Sequence, residues 1–146
     1  LPAGRVFAPA LLPGAWHVGG TTSGRLVGGN LSLMASLCGT PWAIDARGAI
    51  LFIEDVSEAL YRVDRLLTQL RHSGVLDAAS AFLLGSFTED ADPSAVLREH
   101  LAALGKPVLA GWPAGHGRPN RALPLGAMAS LDAAAGVLTL QQTVLS

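Results

Sequence analysis

The chain has 146 residues, of which half are hydrophobic and 14% are charged, which is enough apolar material for one packed domain and too little length for two. Its net charge of −1 comes with scattered basic residues, so we expect no nucleic-acid partner and no anionic membrane surface. No apolar stretch approaches the ~20 residues that span a bilayer, and a single cysteine excludes an internal disulfide, so these features predict a cytoplasmic protein.

The first 23 residues are expected to form a linker between domains, together with short connecting strands. Residues 1–13 lack the basic start and the uninterrupted apolar core of a signal peptide, and the chain does not begin with Met. We therefore expect a longer parent chain that was cut or cloned at this point. The apolar excess also predicts contact with another domain or a homodimer.

Strands and helices alternate through the middle of the chain. Residues 19–24 are rich in Gly, Ser and Thr and predict a turn. Asn30 is a plausible N-cap of the helix that follows it, and the helix at 59–71 places its apolar residues at helical spacing. A mixed α/β sheet, with helices on one side and extra strands on the other, fits this order. The predicted helices are 31–37, 59–71 and 93–104, and the predicted strands are 5–8, 16–18, 25–27, 49–53, 81–84, 108–110 and two within 127–140.

Glu54 directly follows the continuous apolar run 49–53. A buried strand therefore delivers its carboxylate to the end of the sheet, where the sites of α/β proteins collect. A glutamate there can orient a histidine or act as an acid or base. We expect Glu54 to be less solvated than Asp55 and Glu58. The alternative is a solvated carboxylate, or Asp55 and Glu58 capping the following helix.

His116 lies between two glycines after the strand at 108–110, so it too is expected at the end of the sheet. The unperturbed pKa of histidine suits proton transfer near neutrality. The alternative is a flexible loop whose histidine is merely exposed. The other histidines, at 17, 72 and 100, are expected to be structural. No Cys or second His stands at ligand spacing from His100, so we predict no metal site.

A serine nucleophile is not evident, because no Gly-x-Ser-x-Gly turn occurs in the chain. Ser23 precedes a glycine and Ser86 follows one at a strand end, but neither has the full turn. Cys38 falls in a short apolar helix and is expected to be inert. The glycine-rich residues 24–29 lack the ending of a phosphate loop and are interpreted as a turn, where Arg25 is a candidate carboxylate binder.

Three separated segments carry a family resemblance. They are the glycine-rich run 24–33, the glutamate strand with its helix at 49–70, and the histidine loop at 115–126. In this order they resemble the LD-carboxypeptidases, a family that includes muramoyl-tetrapeptide carboxypeptidases and microcin self-immunity proteins. The resemblance extends from about residue 25 to residue 140, as the C-terminal domain of that family.

The resemblance implies a β/β/α domain of the swivelling type, spanning residues 1–146, and a Ser-His-Glu triad. Glu54 matches the triad glutamate and His116 the triad histidine. The family's serine lies in an N-terminal domain that this sequence lacks, so the isolated chain is expected to be inactive. Arg25 and Asn120 are candidate substrate-binding residues. No cofactor and no metal are implied.

The resemblance also implies a function for the parent protein. It would hydrolyse the L,D peptide bond of murein tetrapeptides and release the terminal D-alanine during cell-wall recycling, with its own N-terminal domain as partner. Three alternatives remain open. They are a microcin-type self-immunity peptidase domain, a non-enzymatic module that binds a peptide or protein, and a complete hydrolase that uses Ser23 or Ser86.

Overall fold

A computed structural model of the chain describes residues 1–55, 59–87, 92–114 and 123–143. Eight strands and four α-helices form in these ranges, and the last helix continues into a 3₁₀ turn. None of these helices has the length and apolarity of a membrane span. The elements are β1 (Val6–Phe7), β2 (His17–Val18), β3 (Thr21–Asn30), α1 (Leu31–Leu37), β4 (Ile50–Glu54), α2 (Leu60–His72), α3 (Val75–Ala78), β5 (Ala81–Leu84), α4 (Ser94–Leu101), the 3₁₀ turn (Ala102–Leu104), β6 (Val108–Ala110), β7 (Met128–Asp132) and β8 (Val137–Leu140).

The strands form one mixed sheet in the order β1-β8-β7-β3-β4-β5-β6-β2. The long strand β3 belongs to both halves of this sheet. Its residues 21–25 pair antiparallel with β7, and its residues 26–30 pair parallel with β4. The sheet therefore consists of a parallel half, β4-β5-β6, and an antiparallel half, β7-β8-β1, joined through β3.

The parallel half is covered on both faces, because all five residues of β4 are buried. Leu51 and Ile53 pack with the apolar faces of α1, α2 and α4. Ile50 and Phe52 point to the opposite face and pack with residues of β7 and β8, such as Leu131. The antiparallel half thus covers the face that the helices leave open, which confirms the predicted β/β/α arrangement.

The helix limits follow from local chemistry. Asn30 caps α1 as predicted, since its Oδ1 accepts a hydrogen bond from the Leu33 amide at 2.9 Å. The helix α4 begins one residue later than predicted, at Ser94. Asp92 Oδ1 accepts hydrogen bonds from Ser94 Oγ at 2.6 Å and from Ser94 N at 2.9 Å, and these bonds hold the pKa of Asp92 below its ordinary value. The short helix α3 was not predicted.

The turn predicted for residues 19–24 is wrong for most of that segment, because Thr21 to Gly24 form the first part of β3. Gly, Ser and Thr are typical of turns, but here β7 pairs with the segment and overrides that preference. Glycine at this point also allows close approach, since a Cβ on Gly24 would overlap the carbonyl oxygen of Gly48.

The N-terminal 23 residues were expected to form a linker with connecting strands. Two short strands of this segment, β1 and β2, lie at the two edges of the sheet. The strand β1 pairs antiparallel with β8 at one edge, and β2 pairs antiparallel with β6 at the other. Both strands are only two residues long, which limits the unpaired edge available to another chain.

Candidate functional site

The carboxyl ends of the three parallel strands β4, β5 and β6 lie next to one another, beside the end of β3. Asn30 opposite Glu54 is the last pair between β3 and β4. The Gly85 amide donates to the carbonyl of Ile53 at 2.9 Å, and the Trp112 amide donates to the carbonyl of Leu84 at 3.0 Å. The segments that follow β4, β5 and β6 are therefore held side by side, as expected for a site in an α/β sheet.

Glu54 ends β4 and is buried, with 5% of its surface exposed. Side chains alternate across a strand, which puts Glu54 on the face of Phe52 rather than on the face of the helices. Ala114 packs in the same cluster as Phe52, and Leu123 packs against that cluster. The chain thus leaves the described structure at 114 and returns at 123 on the face that carries Glu54.

The end of β5 lies tightly against the segment that follows β6. Ser86 is buried and donates two hydrogen bonds to the carbonyl of Ala114, from N at 2.9 Å and from Oγ at 3.1 Å. A Cβ on Gly85 would stand 2.5 Å from Ala114 O and 2.7 Å from the ring of Phe52. The glycine therefore permits the contact that fixes where the chain runs after β6.

Asp55 lies on the opposite face from Glu54 and is bound to the start of α1. Its Oδ2 accepts hydrogen bonds from Ser32 Oγ at 2.7 Å and Ser32 N at 2.9 Å, and Asn30 Nδ2 donates to its Oδ1 at 3.3 Å. The alternative in which Asp55 caps the following helix does not fit, because the N-cap of α2 is Ala59 and no side chain caps it, whereas Asp55 binds the first turn of α1. The expectation that it is more solvated than Glu54 is also wrong, since it is 3% exposed.

The two serines considered as nucleophiles are both engaged in hydrogen bonds. The hydroxyl of Ser86 donates to the carbonyl of Ala114 at 3.1 Å. Ser23 accepts a hydrogen bond from Gln141 Nε2 at 3.0 Å. It lies seven residues before Asn30 on β3, which is about 23 Å along an extended strand. Ser23 is therefore remote from Glu54.

Arg25 is the other predicted site residue within the described ranges, and it lies away from the carboxyl ends of the parallel strands. Arg25 lies five residues before Asn30 on β3, and its Nη1 donates to the carbonyl of Gly126 at 2.5 Å. His116 and Asn120, like Glu58, lie outside the described residues. They stay predictions.

The histidine of α4 has a partner in the helical layer. His100 is buried, and its Nε2 is 2.6 Å from Asp64 Oδ1 on α2. Within the described ranges, no three Cys, His, Asp or Glu side chains gather as a metal site requires. Cys38 is half-buried, and its Sγ donates to the carbonyl of Met34 at 3.5 Å.

Comparison with known proteins identifies the family. Residues 23–131 match the family described as the LD-carboxypeptidase C-terminal domain. The murein tetrapeptide carboxypeptidase of Pseudomonas aeruginosa is 38% identical over 126 residues, covering 80% of this chain and 41% of that protein. The crystal structure of muramoyltetrapeptide carboxypeptidase from Oxalobacter formigenes is 37% identical with a TM-score of 0.73, covering 86% of this chain and 49% of the other.

The microcin C7 self-immunity protein MccF, known from Escherichia coli, has a similar structure. Its TM-score is 0.79 at 33% identity, covering 91% of this chain and 42% of the other. The chain thus spans less than half the length of each of these three proteins. Since the family match covers most of the chain and agrees with the fold, this chain belongs to the LD-carboxypeptidase family, as a C-terminal domain of that family.

Proposed function

We propose that this chain is one half of a serine carboxypeptidase that hydrolyses the L,D peptide bond of murein tetrapeptides and releases the terminal D-alanine. Glu54 and His116 supply two members of its Ser-His-Glu triad. The observation that carries the proposal is the buried carboxylate of Glu54, on the sheet face that the chain leaves at Ala114 and rejoins at Leu123.

Chain connectivity supports the pairing of these two residues. His116 is two residues from Ala114, so its Cα stands within about 7 Å of the Cα of Ala114. Ala114 itself is held at the end of β5 by Ser86, and the amide of Asp55 donates to the carbonyl of Ser86 at 3.2 Å. This connectivity is what supports the proposed pairing of His116 with Glu54.

The mechanism assigns a separate role to each group. Glu54 accepts a hydrogen bond from one imidazole nitrogen of His116, selects its tautomer and stabilises the imidazolium that forms. The other nitrogen takes the proton from a serine hydroxyl as the serine attacks the peptide carbonyl. His116 then gives that proton to the departing amine, and water hydrolyses the acyl-enzyme by the same route.

The serine and the groups that stabilise the oxyanion come, in this proposal, from an N-terminal domain of the same protein. The structure favours this division, because Ser23 is remote from Glu54 and Ser86 donates its hydroxyl hydrogen to Ala114. The relatives, which are more than twice as long as the matched part, have room for such a domain. Arg25 and Asn120 remain proposed substrate-binding residues, and no cofactor or metal takes part.

A second candidate function is that of a microcin self-immunity peptidase. It is favoured by the TM-score of 0.79 to MccF, against 0.73 to the muramoyltetrapeptide carboxypeptidase. The MccF structures include a complex with aspartyl sulfamoyl adenosine. An aminoacyl sulfamoyl nucleoside of this kind is therefore the competing substrate for any assay of this protein.

The first experiment measures D-alanine release from an L,D-tetrapeptide, by the chain alone and by the chain joined to the N-terminal half of the Pseudomonas aeruginosa relative. We expect no release from the chain alone above a His116→Ala control, and release from the joined protein. Glu54→Gln and His116→Ala should each lower kcat of the joined protein by about 10³-fold or more. Asp77→Asn, at an exposed site on α3, is the matched control.

Three results would contradict the proposal. Release by the chain alone that depends on His116 would place the nucleophile within this chain. Unchanged kcat in Glu54→Gln would remove Glu54 from the triad. Cleavage of aspartyl sulfamoyl adenosine without cleavage of the tetrapeptide would favour the self-immunity function.

We also propose that the protein is a cytoplasmic homodimer. Large apolar side chains are exposed on its surface, among them Trp42 at 77% and Tyr61 at 62%. Contiguous exposed apolar patches are typical of surfaces that meet a partner, and these side chains are the candidates for such a patch. A monomeric sedimentation profile at high concentration would contradict the dimer, and recovery of the protein outside the cytoplasmic fraction would contradict its location.

A further inference from the structure

Asp55 is a buried carboxylate whose hydrogen bonds join the end of β4 to α1, to β3 and to the segment after β5. Its side chain accepts two hydrogen bonds from Ser32 at the start of α1 and one from Asn30 at the end of β3. Its backbone amide donates to the carbonyl of Ser86 after β5. A buried carboxylate is costly unless its oxygens are hydrogen-bonded, and these contacts meet that cost for a residue that follows Glu54 directly.

We propose that Asp55 is a positioning residue, which fixes the end of β4 so that Glu54 faces the histidine loop. The inference rests on the proposed function, in which Glu54 orients His116. Neighbouring side chains of a strand point to opposite faces. Because the side chain of Asp55 is tied to Ser32 of α1, these hydrogen bonds oppose rotation of the peptide between the two residues and keep Glu54 on the face of Phe52.

The hydrogen bonds from Asn30 and Ser32 all run toward the carboxylate oxygens of Asp55. Asn30 Oδ1 already accepts from the Leu33 amide at 2.9 Å, so the Asn30 NH₂ group must face Asp55. Both oxygens of Asp55 therefore face donors, from Asn30 on one side and Ser32 on the other. An amide at position 55 would turn an NH₂ group toward one of these donors. Rotation of the Asn30 amide would relieve that conflict only by breaking the cap of α1.

The first arm of the test is NMR on the 146-residue chain, with Asp55→Asn compared to the exposed control Asp77→Asn. We expect Asp55→Asn to shift the side-chain NH₂ signal of Asn30, the amide signal of Ser32 and the carboxyl carbon signal of Glu54. The control should leave all three unchanged. If Asn30 and Ser32 shift while Glu54 does not, Asp55 supports α1 only and the proposal is wrong.

A double variant separates the direction of the bonds from the size of the side chain. Asn30→Asp combined with Asp55→Asn exchanges the donor and the acceptor, while the remaining amide oxygen still accepts from Ser32. We expect the double variant to restore the Ser32 and Glu54 signals that Asp55→Asn displaces. Signals that stay displaced would overturn the directional argument. Should Asp55→Asn fail to fold, Ser32→Ala removes one of the three bonds and should shift the Glu54 signal the same way by a smaller amount.

The second arm is kinetic and uses the joined protein with the tetrapeptide. We expect Asp55→Asn to lower kcat by about 10-fold to 100-fold with KM changed by less than about 3-fold, since a misplaced triad group affects the transition state more than substrate binding. A loss equal to that of Asp77→Asn would refute the role of Asp55. An inactive unsubstituted protein would instead refute the proposed function, and the NMR arm would still decide the role of Asp55.

Discussion

Two neighbouring glycines of β3, Gly28 and Gly29, offer a test of how closely β3 approaches β4. Gly28 has a φ of +124° and Gly29 a φ of +147°, so an alanine at either position adopts a backbone conformation that L-residues rarely take. The surroundings differ. A Cβ on Gly28 would overlap the carbonyl oxygen of Phe52 and stand 2.9 Å from its N and C atoms, whereas a Cβ on Gly29 meets nothing within 4 Å.

The expected losses of stability differ accordingly. Backbone strain costs about 1–3 kcal/mol in each variant. Gly28→Ala adds an overlap with backbone, which only a local separation of β3 from β4 relieves, at a further cost of about 1–3 kcal/mol. Gly28→Ala should therefore lower the free energy of unfolding by about 2–6 kcal/mol. That is a large share of the ~5–15 kcal/mol typical of a folded domain.

Urea unfolding of both variants, followed by far-UV circular dichroism, measures the difference. We expect the midpoint for Gly28→Ala to lie clearly below that for Gly29→Ala, with a difference in unfolding free energy of at least about 1 kcal/mol. Equal midpoints would refute the reasoning, because both variants share the strain and only one has the overlap. The result bears on the site, since Asn30 and Glu54 form the next pair but one along these strands.

Two further predictions concern groups away from the sheet edge. Lys106 Nζ donates to three carbonyl oxygens at or just after α3, at 3.2, 2.6 and 2.5 Å, so Lys106→Met should lower the unfolding free energy by about 1–3 kcal/mol; an unchanged urea midpoint would contradict this. The Arg47 guanidinium hydrogen-bonds Asp45 and lowers its pKa to about 2. The stabilisation is present above the ordinary aspartate pKa and is lost as the pH falls toward 2. NMR titration of Asp45 should find this midpoint, and Arg47→Gln should raise it toward about 3.9.

The elements that could be predicted from the sequence are those whose burial is complete or strictly periodic. The continuous apolar run before Glu54 has the length of a strand covered on both faces, and β4 is that strand. The spacing of Val63, Leu67 and Leu70 is that of a helix with one apolar face, and all three are buried in α2. The first part of β3 could not be predicted, because its stability comes from pairing with β7, more than 100 residues later.

The candidate site likewise has one part that could be predicted from the sequence and one part that could not. The burial of Glu54 follows from its position after an apolar run, which a sequence displays directly. The burial of Asp55 depends on Ser32, which lies 23 residues earlier in the chain. Only the parallel register of β3 and β4 brings these two together, and a sequence contains no direct signal of that register. Arg25 was a candidate because its guanidinium can bind a carboxylate, and that chemistry gives no information about its distance from Glu54.

The proposed half-site draws on both layers that cover the sheet. Glu54 shares the face of Phe52 and Ala114, which the antiparallel strands cover with Leu131 and Leu138. Asp55 shares the opposite face, where α1 covers it. Two adjacent carboxylates are thus buried in different layers. Asp55 accepts hydrogen bonds from Ser32 and Asn30, and Glu54 lies on the face of Phe52 and Ala114. The end of β4 therefore supplies both Asp55, which is bound to α1, and Glu54, which is proposed for catalysis. A substitution that separates β3 from β4 should affect both residues.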